Sequence, residues 1–169
     1  MNSDTIIAPT QFLTFHLGEE VFAIDISRIK EVLEFTEVTR IPRTPDFMCG
    51  VINLRGSVVP VVDLRLKFGM SASQKTINTC IIILDIQQEE EGATVIGAMA
   101  DSVKEVMELD PSQIEPAPKL GSGVRIDFIR GMGKQGNQFV ILLDTDRIFS
   151  QGELVSLQEG KIPPSARAA

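Results

Sequence analysis

In Gly50-Val51-Ile52-Asn53-Leu54-Arg55-Gly56-Ser57-Val58-Val59-Pro60-Val61-Val62-Asp63-Leu64-Arg65, two apolar runs flank the polar break Arg55-Gly56-Ser57. β-Branched residues dominate both runs, and a glycine-bearing break between them predicts two extended segments joined by a turn. Pro60 lacks the N–H that a strand ladder needs, so its strand is expected to be an edge strand or to carry a bulge. Upstream, Leu13, Phe15 and Leu17 share one face of an alternating run, with Phe12, Thr14 and His16 on the other. Gly18-Glu19-Glu20 then reads as a hairpin turn and residues 21–26 as the returning strand. Residues 80–86, 94–100, 102–109 and 138–143 complete a set of short strands. One amphipathic helix is expected, capped by Ser27, with Ile29, Val32 and Leu33 at helical spacing; a second short one is expected near Asp144 or Asp146. No helix is long enough to cross between parallel strands, so the sheets should be mainly antiparallel and barrel-like or sandwich-like.

The chain has 169 residues, a mean hydropathy of +0.12 and a formal charge of −7. That size buries a core without metal or disulfide staples, and the acidity argues against nucleic acid or an anionic lipid surface as the main partner. Cys49 and Cys80 show no CxxC spacing and fit a reducing compartment, and no apolar run is long enough to span a bilayer, so a cytoplasmic location is expected. Residues 28–67 carry seven basic and five acidic groups, whereas residues 85–115 carry nine acidic groups and only Lys104 as a base. Opposite signs in the two halves suit docking in one orientation.

The usual signatures of catalysis are missing. Gly131-Met132-Gly133-Lys134-Gln135-Gly136 matches a dinucleotide fingerprint in letters, but a strand follows where a helix should open, so it reads as a turn between strands. Asp25, Asp63, Asp85, Asp101 and Asp144 end strands, and two of them could form a hydrolytic dyad; capping helices and starting turns is the commoner use of such residues. His16, the only histidine, reads as an exposed strand residue, and both cysteines read as small buried hydrophobes. With no Trp or Tyr, an aromatic groove for proline-rich peptides is also disfavoured. What remains is a protein that binds.

The run from Pro45 through Gly56, then Pro60-Val61-Val62-Asp63-Leu64-Arg65 and Phe68-Gly69, resembles the CheW family of chemotaxis coupling proteins. The opening hairpin, continuing through Ser27-Arg28-Ile29-Lys30-Glu31-Val32, and the stretch Asp110-Pro111-Ser112-Gln113-Ile114-Glu115-Pro116-Ala117-Pro118 are similar to it as well. The resemblance implies an all-β fold of two SH3-like five-stranded β-barrel subdomains packed side by side, with one or two short helices. It covers residues 11–158, with the first barrel mainly 18–75 and the second mainly 76–143 plus a strand from 11–17; residues 1–10 and 159–169 read as mobile tails. It further implies a non-enzymatic adaptor without cofactor or metal, linking the cytoplasmic tip of methyl-accepting chemoreceptors to the regulatory domain of a CheA-type histidine kinase. Such a protein would be cytoplasmic, recruited to membrane-associated receptor arrays, and monomeric when isolated. A paralogous adaptor of another chemosensory pathway, serving twitching motility or surface sensing, is the alternative.

Carried over by position, the receptor-binding residues would be Ile29 and Glu31 on the short helix, Arg55 in the turn, and Cys80 and Gly97. Glu31 and Arg55 would pair, and an apolar groove between the barrels would supply most of the affinity. Val103 and Val106 would contribute to the kinase-facing surface. Glu89-Glu90-Glu91 makes a longer acidic turn than the family has at that place.

Overall fold

A computed structural model describes residues 9–72, 74–88, 92–116 and 128–148. They form β1 (Thr10–Leu17), β2 (Glu20–Asp25), β3 (Ile29–Glu34), β4 (Met48–Leu54), β5 (Ser57–Asp63), one helical turn α1 (Leu64–Lys67), β6 (Cys80–Gln88), β7 (Gly92–Ala100), β8 (Ser102–Leu109), β9 (Ile114–Glu115), β10 (Ile129–Gln135) and β11 (Gln138–Leu143). One sheet runs β8-β1-β2-β11-β10-β9 and the other β3-β6-β7-β5-β4. All neighbours are antiparallel except β2 with β11 and β5 with β7. The all-β reading and its two subdomains therefore hold, with the two-residue β9 added to one sheet.

Several expectations change. The helix expected after Ser27 is a strand: a 3-10 turn spans Ile26–Arg28, and β3 follows, pairing with β6 from Ile29 opposite Leu84 to Glu34 opposite Cys80. The cap is Asp25, whose side chain accepts from the Ser27 N–H. Lys and Glu favour helix, but an edge position beside the apolar Cys80-Ile81-Ile82-Ile83-Leu84 run offers a full ladder, and tertiary pairing overrides local propensity. The second expected helix is a 3-10 turn, Thr145–Arg147, capped by Asp144. Pro60 is not in an edge strand; β5 lies between β4 and β7, but pairs with β7 only from Val61 onward, so the proline needs no donor on that side. Gly131 and Gly133 lie within β10 rather than in a turn, and only Gly136 turns the chain. Nor do the sheets divide the chain near residue 75: β6 and β7 complete the sheet that β3 to β5 begin, while β1 and β2 join the strands from the far end of the sequence.

The two sheets are copies of one design. Phe47, Gly50 and Asp63 recur at a constant offset as Phe128, Gly131 and Asp144. The Asp63 N–H donates to the Phe47 carbonyl at 2.7 Å, and the Asp144 N–H to the Phe128 carbonyl at 2.8 Å. Both hairpins, β4–β5 and β10–β11, are bulged just before their first glycine, at Cys49 and at Arg130. Likewise Ile29-Lys30-Glu31-Val32-Leu33-Glu34 on β3 matches Val103-Lys104-Glu105-Val106-Met107-Glu108 on β8, and each strand bulges at its lysine. The N-terminal hairpin β1–β2 supplies to one sheet what β6–β7 supplies to the other.

Each sheet covers a small core of its own, one around Phe12, Val140 and Leu142, the other around Val61, Ile81 and Ile83. A larger core fills the space between them, drawing Phe15, Leu17 and Ile24 from one sheet and Val62, Ile82, Leu84 and Ile96 from the other. Because strands are buried on both faces, β1 reads Phe12-Leu13-Thr14-Phe15 without an exposed position. Phe68, at the end of α1, stacks on Phe128 at 4.5 Å and on Phe22 at 5.7 Å, so one ring of one subdomain is held between two of the other.

Candidate functional site

The β4–β5 hairpin closes through two residues, Arg55 with φ 52° and Gly56 with φ 88°. Positive φ at both positions gives the twist that a two-residue hairpin needs. Asn53 supports it by accepting the Gly56 N–H at 2.8 Å. Glycine adopts this backbone freely, whereas for arginine the left-handed region costs about 1–2 kcal/mol. That strain aims the guanidinium at Glu31: Nη1 meets Oε2 at 2.5 Å and Nη2 meets Oε1 at 2.9 Å, a fork-on-fork pair. The arginine hydrogen bond holds the Glu31 carboxyl below its usual range, and Glu31 in turn raises the Arg55 guanidinium.

Glu31 lies on β3 and Arg55 in the turn that follows β4, and β3 and β4 are the two edge strands of their sheet, so the ion pair links one edge to the other. Arg55 keeps 71% of its side chain exposed against 28% for Glu31. Water therefore screens the pair, and its net contribution to folding is small. Its consequence is a fixed pattern of charge on an exposed turn. Along it runs an open groove of about 340 Å³, whose walls include Lys30, Val58, Pro60 and Val95. Val58 is 70% exposed, an apolar residue beside fixed charges. A shallow groove of this make-up suits another protein's surface better than an enclosed small molecule.

The other sequence-derived residues separate into surface and interior. The bulge at Lys30 turns Ile29 and Glu31 to opposite faces of β3: Ile29 opposes Leu84 and packs on the central core, while Glu31 opposes Ile83. Cys80 starts β6, is 6% exposed and belongs to the central core, with Sγ 4.0 Å from the Ala100 carbonyl. Gly97 faces the opposite side of the same sheet, level with Ile83 and Val61, and a Cβ there would come within 2.8 Å of Ile81 Cγ2. Close strand packing requires the glycine. Val103 and Val106 share one face of β8 because Lys104 is bulged between them; Val103 is half-buried and Val106 47% exposed. The structure thus brings Glu31 and Arg55 together and leaves Cys80 and Gly97 beneath the surface.

Residue patterns alone did not single out a counterpart in the second sheet. Glu105, the equivalent of Glu31, accepts from Gln135 Nε2 at 2.8 Å beside the β10–β11 turn. The repeated Lys-Glu-Val triplet was the signal that could have found it.

Nothing among the described residues resembles a reaction centre. Asp25, Asp63 and Asp144 cap helical turns, and Asp101 accepts from the Gly18 N–H and from Arg65. Asp85 has one buried carboxylate oxygen without a hydrogen-bond partner there. No group of three His, Cys, Asp or Glu among these residues is arranged to hold a metal. His16 is half-buried on β1, opposite Val21. Burial pushes the Cys49 thiol up to about 11 and raises Cys80 too, which makes both poor nucleophiles. No helix among the described residues is long and apolar enough to cross a membrane.

The model of the CheW-like domain family matches residues 11–153. The chain belongs to the CheW family. It is 38% identical over 144 residues to the chemotaxis protein CheW of Klebsiella aerogenes, covering 85% of this chain and 84% of that one. The chemotaxis protein CheW of Helicobacter pylori is 32% identical, with 83% and 82% covered. The crystal structure of the scaffolding protein TtCheW from Thermoanaerobacter tengcongensis superposes with a TM-score of 0.76 at 32% identity, covering 86% of this chain and 96% of that one. CheW-family proteins are non-catalytic adaptors of chemotaxis signalling.

Proposed function

We propose that this chain couples methyl-accepting chemoreceptors to the regulatory domain of a CheA-type histidine kinase. The carrying observation is the strained, exposed Arg55 held by Glu31 beside an open groove. A chain that keeps arginine where asparagine or glycine would fit without strain gains something other than stability from it. The receptor tip, a helical hairpin, would lay an apolar stripe against Val58 and its neighbours while Arg55 and Glu31 fix its register. Ile29, Cys80 and Gly97 would act from below, holding β3, β6 and β7 in the shape that presents the pair. Val103 and Val106 on β8 would face the kinase, placing the two partners on different sheets. Each sheet, in this reading, closes as an SH3-like barrel. The protein works in the cytoplasm as a monomer until receptor arrays recruit it.

Calorimetric titration tests this. Low-micromolar binding to a CheA regulatory domain is expected, together with receptor-tip binding that Arg55→Glu weakens at least about tenfold, or about 1.4 kcal/mol, in a variant that still folds. Val106→Glu should weaken the kinase complex and leave receptor binding intact. Absence of binding to any such kinase domain would remove the coupling role.

A further inference from the structure

Among the described residues, the Arg65–Asp101 and Arg28–Asp146 ion pairs tie the subdomains together, and they are built to the same plan with their charges exchanged. In the first, Arg65 of α1 meets Asp101, on the connector between β7 and β8, with Nη1 2.7 Å from Oδ2. The same carboxylate oxygen accepts the N–H of Gly18 at 2.6 Å, from the β1–β2 turn of the other sheet. Arg65 Nε is fixed by the Ser71 carbonyl at 2.8 Å. In the second, Asp146, the positional equivalent of Arg65, meets Arg28, on the connector between β2 and β3, with Oδ2 2.9 Å from Nη2. Its other oxygen accepts the N–H of Gln87 at 3.0 Å, from the end of β6. Gln87 is the positional equivalent of Gly18, so in each case a connector, a helical turn and a hairpin of the opposite sheet converge on one carboxylate.

The core between the sheets is apolar, and apolar contact resists separation far more than sliding because it has no direction. Charged hydrogen bonds do have direction. We propose that these two latches set the angle between the subdomains, and that the molecule opens at Arg28–Asp146 while Arg65–Asp101 acts as the pivot. Burial decides the order. The Arg65 side chain is 16% exposed, that of Arg28 35%, so solvent and salt weaken the second latch first. The Asp25–Arg130 and Asp144–Arg147 pairs, each at 3.5 Å, lie beside it, and Asp25, Arg130 and Asp144 share with it a groove of about 280 Å³; these charges can take up the released partners.

Residual dipolar couplings test the orientation directly. In the unaltered protein, amides of β1, β2, β8 and β11 and amides of β3 to β7 should fit one alignment frame. Asp146→Asn, which keeps size and an acceptor for Gln87, should require a rotation between the two sets, and Arg28→Gln, which leaves Asp146 to accept from Gln87, should require the same rotation. Couplings of folded Asp146→Asn that fit the unaltered orientation would overturn the proposal. Amide exchange in the unaltered protein gives an answer that needs no variant. Raising salt to about 1 M should speed exchange at Gln87 at least about tenfold more than at Gly18; equal protection at both sites would sink the pivot.

Discussion

Arg55 carries a backbone cost and, in the proposed coupling, a surface role at once, and substitution can separate them. Arg55→Asn removes the strain, since asparagine tolerates the left-handed region, and it gives up an ion pair already screened by water. Thermal unfolding should show a midpoint unchanged or raised, with up to about 1 kcal/mol gained, while receptor-tip affinity falls. The pair also sets a pH window. Because the folded Glu31 carboxyl lies below its ordinary value near 4.5, its contribution is fully present above that value and is lost as pH falls through the lower, folded one. The stability difference between the unaltered protein and Glu31→Gln should therefore be constant from neutral pH down to about 5 and vanish only in more acid solution, as urea titrations across that range would record. Cys49 behaves oppositely. With its thiol pushed up to about 11, alkylation near pH 8 should run roughly a hundredfold slower in the folded chain than in urea, by mass spectrometry.

At the level of elements, the glycines of the sheet make the sharpest demands. A Cβ on Gly50 would stand 2.1 Å from the Thr39 carbonyl oxygen at a φ of 145°, whereas one on Gly97 would press the side chain of Ile81. Gly97→Ala should cost about 1–3 kcal/mol as overpacking, and Gly50→Ala should cost more because backbone cannot step aside; parallel thermal melts would rank them. Hairpins were the legible part of the sequence, because alternation and turn glycines act locally: β1–β2 and β4–β5 fall where the residues put them. β3 was not legible in that way, since Ile29-Lys30-Glu31-Val32-Leu33-Glu34 satisfies helical spacing and strand alternation alike. Its near copy on β8 reads plainly as a strand, and comparing the two would have settled the choice. The Glu31–Arg55 pair became expected only through a family resemblance; no spacing rule brings together two residues on opposite edges of a sheet. The burial of Cys80 and Gly97 depends on which face each strand residue takes, and one bulge reverses that.

At the scale of the whole molecule, the described residues form two copies of one five-stranded pattern, one of them extended by β9, with the chain entering the first copy, passing through the second, and returning to finish the first. A circular permutant opened within Ile26–Arg28, with the original ends joined by a flexible linker, would make each sheet from contiguous chain. It should keep the same strands and the β2–β11 pairing, which amide exchange would reveal, though it sacrifices the Arg28 latch.

That return path also dictates an order of events on the ribosome. β1–β2 leaves the tunnel ahead of its neighbour β11, which follows only after β3 to β10 have been made. At roughly 5–20 residues per second, the hairpin waits several seconds or more for that partner, with the apolar side chains of Phe12, Phe15 and Phe22 lacking the strands that cover them in the finished protein. Nascent chains on one messenger hold many such hairpins close together. Substitutions that make β1 stickier should therefore lower the yield of soluble protein before they lower the melting temperature of the molecules that survive.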